Sequence, residues 1–176
     1  MALIHRHQSQ LLIVDFQQRL MPAIAEREAV LASALTLARA ATQLQVPILR
    51  TEQYPKGLGP TVAPLHNYGP AIEKITFDAC GAEQFLARLV PQATLVVTGC
   101  EAHVCVLQTV LGLLHNGRNV AVVADAVGSR HPENKARALD RMAAHGADII
   151  TTEMVVFEWL GRADIAEFKP VSALIR

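Results

Sequence analysis

Three side chains that could cooperate in nucleophilic catalysis follow three predicted strands of the chain: Asp15, Lys74 and Cys105. The carboxyl ends of parallel strands meet at one edge of a sheet, where open α/β proteins bind their ligands. A thiol becomes a nucleophile when it loses its proton, a carboxylate can accept that proton, and an ammonium favours both anions. These residues predict attack on a carbonyl carbon, with backbone N–H groups around Glu101 and Cys105 holding the oxyanion.

The position of Cys105 supports a reactive thiol. It follows an apolar run that begins at Leu95, and it precedes apolar residues at helical spacing. We therefore expect it in the first turn of a helix, whose positive end lowers the pKa of a thiol. Each residue also has a structural explanation: Cys105 as a small core residue, Asp15 as a helix cap, and Lys74 as a solvated surface charge.

The predicted elements alternate between strand and helix. Continuous apolar runs predict strands over residues 11–15, 46–51, 72–76, 95–99, 120–125 and 148–151. Apolar residues three and four apart predict helices over residues 26–44, 82–89, 104–114, 132–145 and 152–160, with a loop over 126–130. The alternation predicts a single α/β domain over residues 1–176, with a mostly parallel sheet and helices on both faces.

The longest irregular stretch predicted from the sequence spans residues 52–71 and contains four prolines and three glycines. It follows the carboxyl end of a strand, so it could cover a site at that edge. A surface loop without catalytic importance is the alternative. The C-terminal tail, residues 168–175, is partly apolar and is expected to pack on the body or on a neighbouring subunit.

Composition argues against several classes of function. The net charge is zero, which disfavours electrostatic binding to nucleic acid or to an anionic membrane. The sequence contains no run of about 18 apolar residues, so we expect no membrane span. No apolar signal core precedes the first strand. Three cysteines without disulfide spacing fit a reducing compartment, so we expect a cytoplasmic protein. Zero net charge lowers solubility, which burial in a homo-oligomer would offset.

Several segments, taken in order, resemble the isochorismatase-like cysteine hydrolases, a family that includes nicotinamidases and N-carbamoylsarcosine amidase. The matching pieces are residues 12–17 (LIVDFQ), Lys74, 97–99 (VTG), 103–106 (HVCV) and 123–126 (VADA). The resemblance covers nearly the whole chain, and the combination of motifs is specific. Two further segments are similar to the isochorismatase domain-containing subgroup: residues 51–59 (TEQYPKGLG) and 151–153 (TTE).

The resemblance implies a catalytic triad that falls on Asp15, Lys74 and Cys105. It implies a Rossmann-like, three-layer α/β/α sandwich with six strands in the order 3-2-1-4-5-6. It also implies a non-proline cis peptide bond between Cys100 and Glu101, which would turn the Glu101 amide toward the oxyanion.

Four residues close to these motifs are predicted to bind the substrate: Phe16, Glu52, Tyr54 and His103. His103 lies two residues before Cys105, and side chains at that spacing do not face each other on a helix. We therefore favour a structural or pocket-lining role for His103 over that of a general base. Cys80 and Cys100 are expected to be core or pocket residues.

The segment after the second strand departs from the nicotinamidases, which carry an Asp-x-His metal cluster there. This chain has Glu52-Gln53-Tyr54 at that point and His66 only later, so we predict no catalytic metal and no cofactor. Relatives that cleave the vinyl ether of isochorismate can lack the cysteine. The presence of Cys105 therefore favours acyl chemistry.

We predict a cytoplasmic, metal-independent hydrolase that cleaves a small amide or related C–N bond through an acyl-enzyme on Cys105. Its partners would be a small-molecule substrate and further copies of the chain, not nucleic acid or membrane. The alternatives are a vinyl-ether hydrolase of the isochorismate type and a non-catalytic oligomeric interaction protein that retains the fold. A dinucleotide-binding oxidoreductase is disfavoured, because no glycine follows the first strand at Asp15 to Arg19.

Overall fold

A six-stranded parallel sheet forms the centre of the protein in the computed structural model, which describes residues 3–175. The strands are β1 Ser9–Val14, β2 Ile48–Gln53, β3 Ala71–Lys74, β4 Thr94–Cys100, β5 Val120–Gly128 and β6 Asp148–Ile150. Their spatial order is β3-β2-β1-β4-β5-β6, which confirms the predicted topology. The chain order reverses between β1 and β4, the kind of switch point at which such sheets bind ligands.

Helices cover both faces of the sheet and complete the predicted three layers. They are α1 Arg27–Gln43, α2 Pro55–Leu58, α3 Leu107–His115, α4 Pro132–Ala144, α5 Thr152–Leu160 and α6 Phe168–Ser172. Leu37 of α1, Trp159 of α5 and Val171 of α6 pack on one face, so the C-terminal tail packs on the body. Val110 of α3 and Met142 of α4 pack on the other face. None of the helices within residues 3–175 is long and apolar enough to cross a lipid bilayer.

Two hydrophobic cores result from the alternation of side chains along the strands. On β1, Leu11 and Ile13 enter the core beneath α1 and α5, whereas Leu12 and Val14 enter the core beneath α3 and α4. All six residues of β1 are buried, which explains why its sequence is not an alternating one. A central strand that is packed on both faces gives firm support to the residue that follows it, Asp15.

The predicted helix over residues 82–89 is wrong. The segment contains one 3₁₀ turn, Leu86–Arg88. Phe85 and Leu89 are buried as expected, but Leu86 is 39% exposed. A helix this short depends on tertiary packing for its stability, and only two of the three side chains expected to face inward are buried.

The loop predicted over residues 126–130 is also wrong, because β5 continues through most of it. The register between β4 and β5 shifts between Val97 and Gly99, so β5 has a bulge there. Asp125 lies in this bulge, and its Oδ1 accepts a 2.8 Å hydrogen bond from the backbone N–H of Thr152. The acid at the end of the predicted fifth strand therefore anchors the start of α5.

The second strand extends two residues further than predicted, and this places Gln53 beside Lys74 on β3. The irregular segment is correspondingly shorter, and it is fastened to the body. Arg50 donates from Nη1 to Thr61 Oγ1 over 2.8 Å, and Gln17 forms an isolated antiparallel bridge with Thr61. Residues 54–70 are thereby held next to the carboxyl ends of β1 and β2.

Candidate active site

Asp15 directly follows β1, with φ at +53°, a left-handed conformation that Asp adopts more readily than most residues. Its carboxylate is completely buried and has two side-chain partners. Thr51 Oγ1 donates to Oδ1 over 2.7 Å, and Lys74 Nζ donates to Oδ2 over 2.7 Å. The next α-helix begins only at Arg27, so the helix-cap explanation for Asp15 does not apply.

Lys74 ends β3 and points its ammonium group into the protein, where the side chain has no exposed surface. Besides Asp15, it donates to Gln53 Oε1 over 2.8 Å and to the carbonyl oxygens of Phe77 and Thr76 over 3.2 and 3.4 Å. A buried charge is stable only when it is paired and hydrogen-bonded in this way. The surface-charge explanation for Lys74 is therefore excluded.

Cys105 lies in a π-helical turn, Ala102–Val106, just before α3, and it is 5% exposed. Burial raises the pKa of its thiol to about 12; the Asp15 carboxylate adds to the rise and the Lys74 ammonium opposes it. The expected lowering of the thiol pKa is therefore wrong, because burial and the Asp15 carboxylate raise it more than Lys74 lowers it. Both members of the ion pair act on this thiol, so the structure brings the three predicted residues together.

The peptide bond between Cys100 and Glu101 is cis, at the position that the resemblance implied. The Glu101 carboxylate accepts hydrogen bonds from the backbone N–H and Nε of Arg130 over 2.9 and 3.0 Å. Burial alone would raise the pKa of Glu101, but the bonds from Arg130 bring it below its ordinary value. The Cys100 sulfur lies in the core beneath α1 and α5, on the other side of the sheet from Cys105, and is 3.8 Å from the sulfur of Met21. An oxyanion role for the Glu101 amide stays a prediction.

Two residues predicted to bind the substrate have other contacts in this structure, and their substrate-binding role stays a prediction. Phe16 is completely buried in the core beneath α1 and α5, on the opposite side of the sheet from the core that contains Cys105. Glu52 Oε1 accepts from the backbone N–H and Oγ1 of Thr61 over 2.8 and 2.6 Å, and Arg50 lies 3.5 Å away. Through Oε1, the Glu52 carboxylate thus fastens residues 54–70 to the end of β2.

Tyr54 and His103 stay candidates for substrate binding. Tyr54 is half exposed, and its backbone N–H donates to the carbonyl oxygen of Lys74 over 2.8 Å, so it adjoins the buried ion pair. His103 is half-buried, with Nδ1 3.0 Å from the Oγ of Ser129. This contact is in keeping with a structural or pocket-lining role for His103.

Sequence reasoning missed three polar residues that hold the ion pair in place. Thr51 donates to Asp15, Gln53 accepts from Lys74, and Gln17 binds the backbone of Gln53. The available signal was the two-residue spacing of Thr51 and Gln53, which puts both side chains on one face of a strand. It was missed because the predicted strand ended at Thr51.

A cleft of about 420 Å³ adjoins the end of β3 and has Lys74 in its wall. Its walls also include the apolar residues Pro55 and Ile75 and the acidic residues Glu73 and Glu83. A larger cleft, of about 930 Å³, runs along residues 163–172 and has no triad residue in its walls. We take the smaller cleft as the candidate approach to the site because the backbone of Lys74 lies in its wall; the Lys74 side chain itself has no exposed surface.

Within the described residues, 3–175, no group of three or more His, Cys, Asp or Glu side chains is placed to hold a metal ion. Glu52 is bound to Thr61, and His66 is exposed on the segment that follows α2. The absence of a catalytic metal stays a prediction.

Comparison with known proteins places this chain in the isochorismatase family. The isochorismatase domain model matches residues 9–154, so the chain belongs to that family. Human isochorismatase domain-containing protein 2 is 36% identical over 170 residues, covering 96% of this chain and 83% of the relative. The resemblance stated from the sequence is confirmed.

Solved structures confirm the fold. MAR1 ribonuclease from Caenorhabditis elegans superposes with a TM-score of 0.92 at 35% identity, covering 99% of this chain and 92% of that one. YcaC from Pseudomonas aeruginosa, solved with hexane-2,5-diol and covalent acrylamide, gives 0.90 at 26% identity, with coverages of 97% and 90%. YcaC from Escherichia coli, described as an octameric hydrolase of unknown specificity, gives 0.90 at 25% identity, with coverages of 99% and 91%.

Proposed function

We propose that this member of the isochorismatase family is a cysteine hydrolase that cleaves a small amide or related C–N bond through an acyl-enzyme. The observation that carries the proposal is the fully buried Asp15–Lys74 ion pair, whose two charges both act on the Cys105 thiol. In this assignment Cys105 is the nucleophile and Asp15 accepts and returns the proton. Lys74 offsets the negative charge that accumulates at the site.

The proposed reaction has two halves. In the first, the Cys105 sulfur bonds to the carbonyl carbon while its proton passes to Asp15, and the carbonyl electron pair moves onto oxygen. The intermediate then collapses: the C–N bond breaks, and the proton on Asp15 goes to the departing nitrogen. In the second half, Asp15 takes a proton from water, the hydroxide attacks the thioester carbon, and the acid leaves as the proton returns to sulfur.

The raised pKa of Cys105 explains why the reaction would need a base. A thiol with a pKa of about 12 is ionised in roughly one molecule in 100,000 at neutral pH. Attack by a standing thiolate would therefore be rare. Transfer of the proton to Asp15 as the sulfur attacks avoids this cost, since the thiolate never has to accumulate.

Covalent acrylamide in the YcaC relative from Pseudomonas aeruginosa supports nucleophilic chemistry. Acrylamide is an electrophile, and it becomes attached when a nucleophile adds to its double bond. It is also a small amide, the substrate class proposed for this chain. In this chain, Cys105 is the proposed nucleophile for such a compound.

A second candidate function is cleavage of RNA, because the relative from Caenorhabditis elegans is a MAR1 ribonuclease. RNA binding depends on basic groups that neutralise phosphates. The cleft beside Lys74 is instead lined by Glu73 and Glu83, and the net charge of the chain is zero. These charges favour an uncharged small molecule over RNA.

We also propose that the protein works as a homo-oligomer, since YcaC from Escherichia coli is octameric. Ile75 and Phe77, next to Lys74, are 73% and 51% exposed, and burial against another subunit would remove this apolar surface from water. Light scattering coupled to gel filtration measures the mass directly, and a purely monomeric protein would contradict the proposal.

The test of function is a screen of small primary and secondary amides for release of ammonia or amine, run beside a labelled RNA and isochorismate. We expect turnover of an amide by the wild type and by Cys80→Ala, the matched control. Cys105→Ala should lose turnover completely. Amide hydrolysis that survives in Cys105→Ala, or cleavage of RNA or isochorismate alone, would contradict the proposal.

A further inference from the structure

Gln53 is the one uncharged side chain among the partners of Lys74 that the structure describes. Its Oε1 accepts from the Lys74 ammonium over 2.8 Å, and its Nε2 donates to the carbonyl oxygen of Ile75 over 2.7 Å. The residue is 7% exposed, so both ends of its amide depend on protein partners. The contact with Ile75 fixes which end of the amide faces Lys74, because a carbonyl oxygen can only accept.

Gln17 fixes Gln53 in turn. Its side-chain Nε2 donates to the Gln53 carbonyl over 3.0 Å, and its Oε1 accepts from the Gln53 N–H over 2.8 Å. The side-chain amide thus satisfies both backbone groups of the last residue of β2, as a neighbouring strand would. The same Nε2 donates to the carbonyl oxygen of Gly59 over 2.7 Å, and the Gln17 backbone N–H donates to the backbone carbonyl oxygen of Asp15 over 2.9 Å.

We propose that Gln53 and Gln17 are positioning residues: Gln53 aims the Lys74 ammonium at Asp15, and Gln17 holds Gln53 in place. This inference rests on the proposed function, because it assigns a way in which the proposed triad is kept in working order. An ammonium has three N–H donors and moves on a flexible stem, so a single carboxylate does not fix its direction. Two backbone carbonyls accept from it over 3.2 and 3.4 Å, and Gln53 supplies a closer neutral acceptor, at 2.8 Å, without adding charge.

The neutrality of Gln53 matters because of what surrounds Lys74. The titratable groups that act on Cys105 are Asp15, from the end of β1, and Lys74, from the end of β3. One positive and one negative charge face the thiol. A carboxylate at position 53 would add a second negative charge, compete with Asp15 for the ammonium, and make the thiolate harder to form.

The experiment measures the rate of Cys105 alkylation by iodoacetamide from about pH 6 to pH 11, with peptide mass mapping. This range covers the titration of a free thiol and the rising part of the rate profile of a thiol whose pKa is about 12. Gln53→Leu removes the acceptor, Gln53→Glu keeps an acceptor and adds charge, and Gln17→Leu removes the support. The matched control is Gln10→Leu. Gln10 is 3% exposed, and its side-chain amide is hydrogen-bonded at both ends to the backbone of Arg88 and Val90. It lies near the amino end of β1, at the other end of the strand from Asp15.

We expect Gln53→Leu and Gln53→Glu to slow Cys105 alkylation about tenfold near neutral pH, equivalent to one pKa unit, and to move its pH profile upward. Gln17→Leu should move the profile in the same direction by less. Gln10→Leu should lower the melting temperature but leave the profile in place, as a merely structural glutamine would. An unchanged pH profile of Cys105 alkylation in both Gln53 variants would overturn the positioning role. If Gln53→Leu does not fold, the profile of Gln53→Glu is the test of that role.

Lys74→Ala separates this inference from the proposed function. If Lys74→Ala leaves the Cys105 profile unchanged, the proposed role of Lys74 fails and the role of Gln53 fails with it. If Lys74→Ala moves the profile and the Gln53 variants do not, only the positioning role fails. The alkylation rate of Cys80 in the same samples shows that each variant is folded and that the reagent is active.

Discussion

Two thiols five residues apart in the sequence, Cys100 and Cys105, lie in opposite cores of the same sheet. Burial raises the pKa of both. They differ in what surrounds them: the Asp15 carboxylate raises the pKa of both thiols, but Cys105 is also acted on by Lys74, whereas Cys100 contacts the sulfur of Met21. Burial alone gives an inert thiol, and a buried carboxylate beside it supplies the proton acceptor that could make it a nucleophile.

The largest expected effect separates the two thiols by function. Cys105→Ala should abolish turnover of any amide substrate found, because no other nucleophile is assigned to the reaction. Cys100→Ala should retain turnover and lower the free energy of unfolding by about 1–2 kcal/mol, the effect of a small cavity in a core. Steady-state kinetics and urea denaturation of both variants check this. Loss of activity in Cys100→Ala with the fold intact would show that Cys100 is also needed for turnover.

The ion pair should affect stability as well as reactivity. Removing one partner leaves the other charge buried without compensation, so we expect Lys74→Ala to cost about 3–5 kcal/mol of unfolding free energy. The double variant Asp15→Asn, Lys74→Met leaves no unpaired charge and should be more stable than Lys74→Ala. Urea denaturation measures both. Equal stability of the wild type and Lys74→Ala would mean that the pair is not buried in solution.

A pH titration of stability should show the two thiols behaving alike. Each folded-state pKa is raised, to about 12 for Cys105, so the unfolded chain releases thiol protons first as the pH rises. The stabilising contribution is complete below about pH 8.5 and is lost as the pH approaches 12. Either Cys→Ala variant should flatten this decline in denaturation midpoint. An unchanged slope in both would argue against raised pKa values.

The smallest expected effect concerns the segment beside the site. Glu52→Gln keeps the shape of the side chain but weakens its bonds to Thr61, so we expect a loss of about 1 kcal/mol in unfolding free energy. Cys105 alkylation should be unchanged, in contrast to Gln53→Glu one residue later. Slower Cys105 alkylation in Glu52→Gln would indicate that the Glu52 carboxylate affects the thiol.

Much of this arrangement could be predicted from the sequence. The continuous apolar runs predicted the buried strands, and the family resemblance gave the strand order and the triad positions. The end of β2 could not be predicted, because Glu52 and Gln53 are polar and their burial depends on Thr61, Gln17 and Lys74, which are distant in sequence. Local patterns carry no information about such partners.

The bulge in β5 and the pKa of Cys105 were missed for a related reason. Asp125 resembles a strand end in the sequence, yet the strand resumes beyond it because the pairing register with β4 shifts. The position of Cys105 before a helix suggested a lowered pKa, yet its environment is set by burial beneath α3 and α4. Depth in the folded protein is a property of the whole sheet and not of the turn that contains the residue.

The rate at which acrylamide adds to Cys105 tests directly whether Asp15 is the base for this thiol. In the wild type at neutral pH, we expect the 5% exposed Cys105 to react faster than the more accessible Cys80, whose pKa burial also raises to about 12. Asp15→Asn should reduce the rate at Cys105 to that of Cys80 or below. If Asp15 only repels the thiolate, removing its charge would instead speed the addition of acrylamide. That result would contradict the role of Asp15 as the base for Cys105.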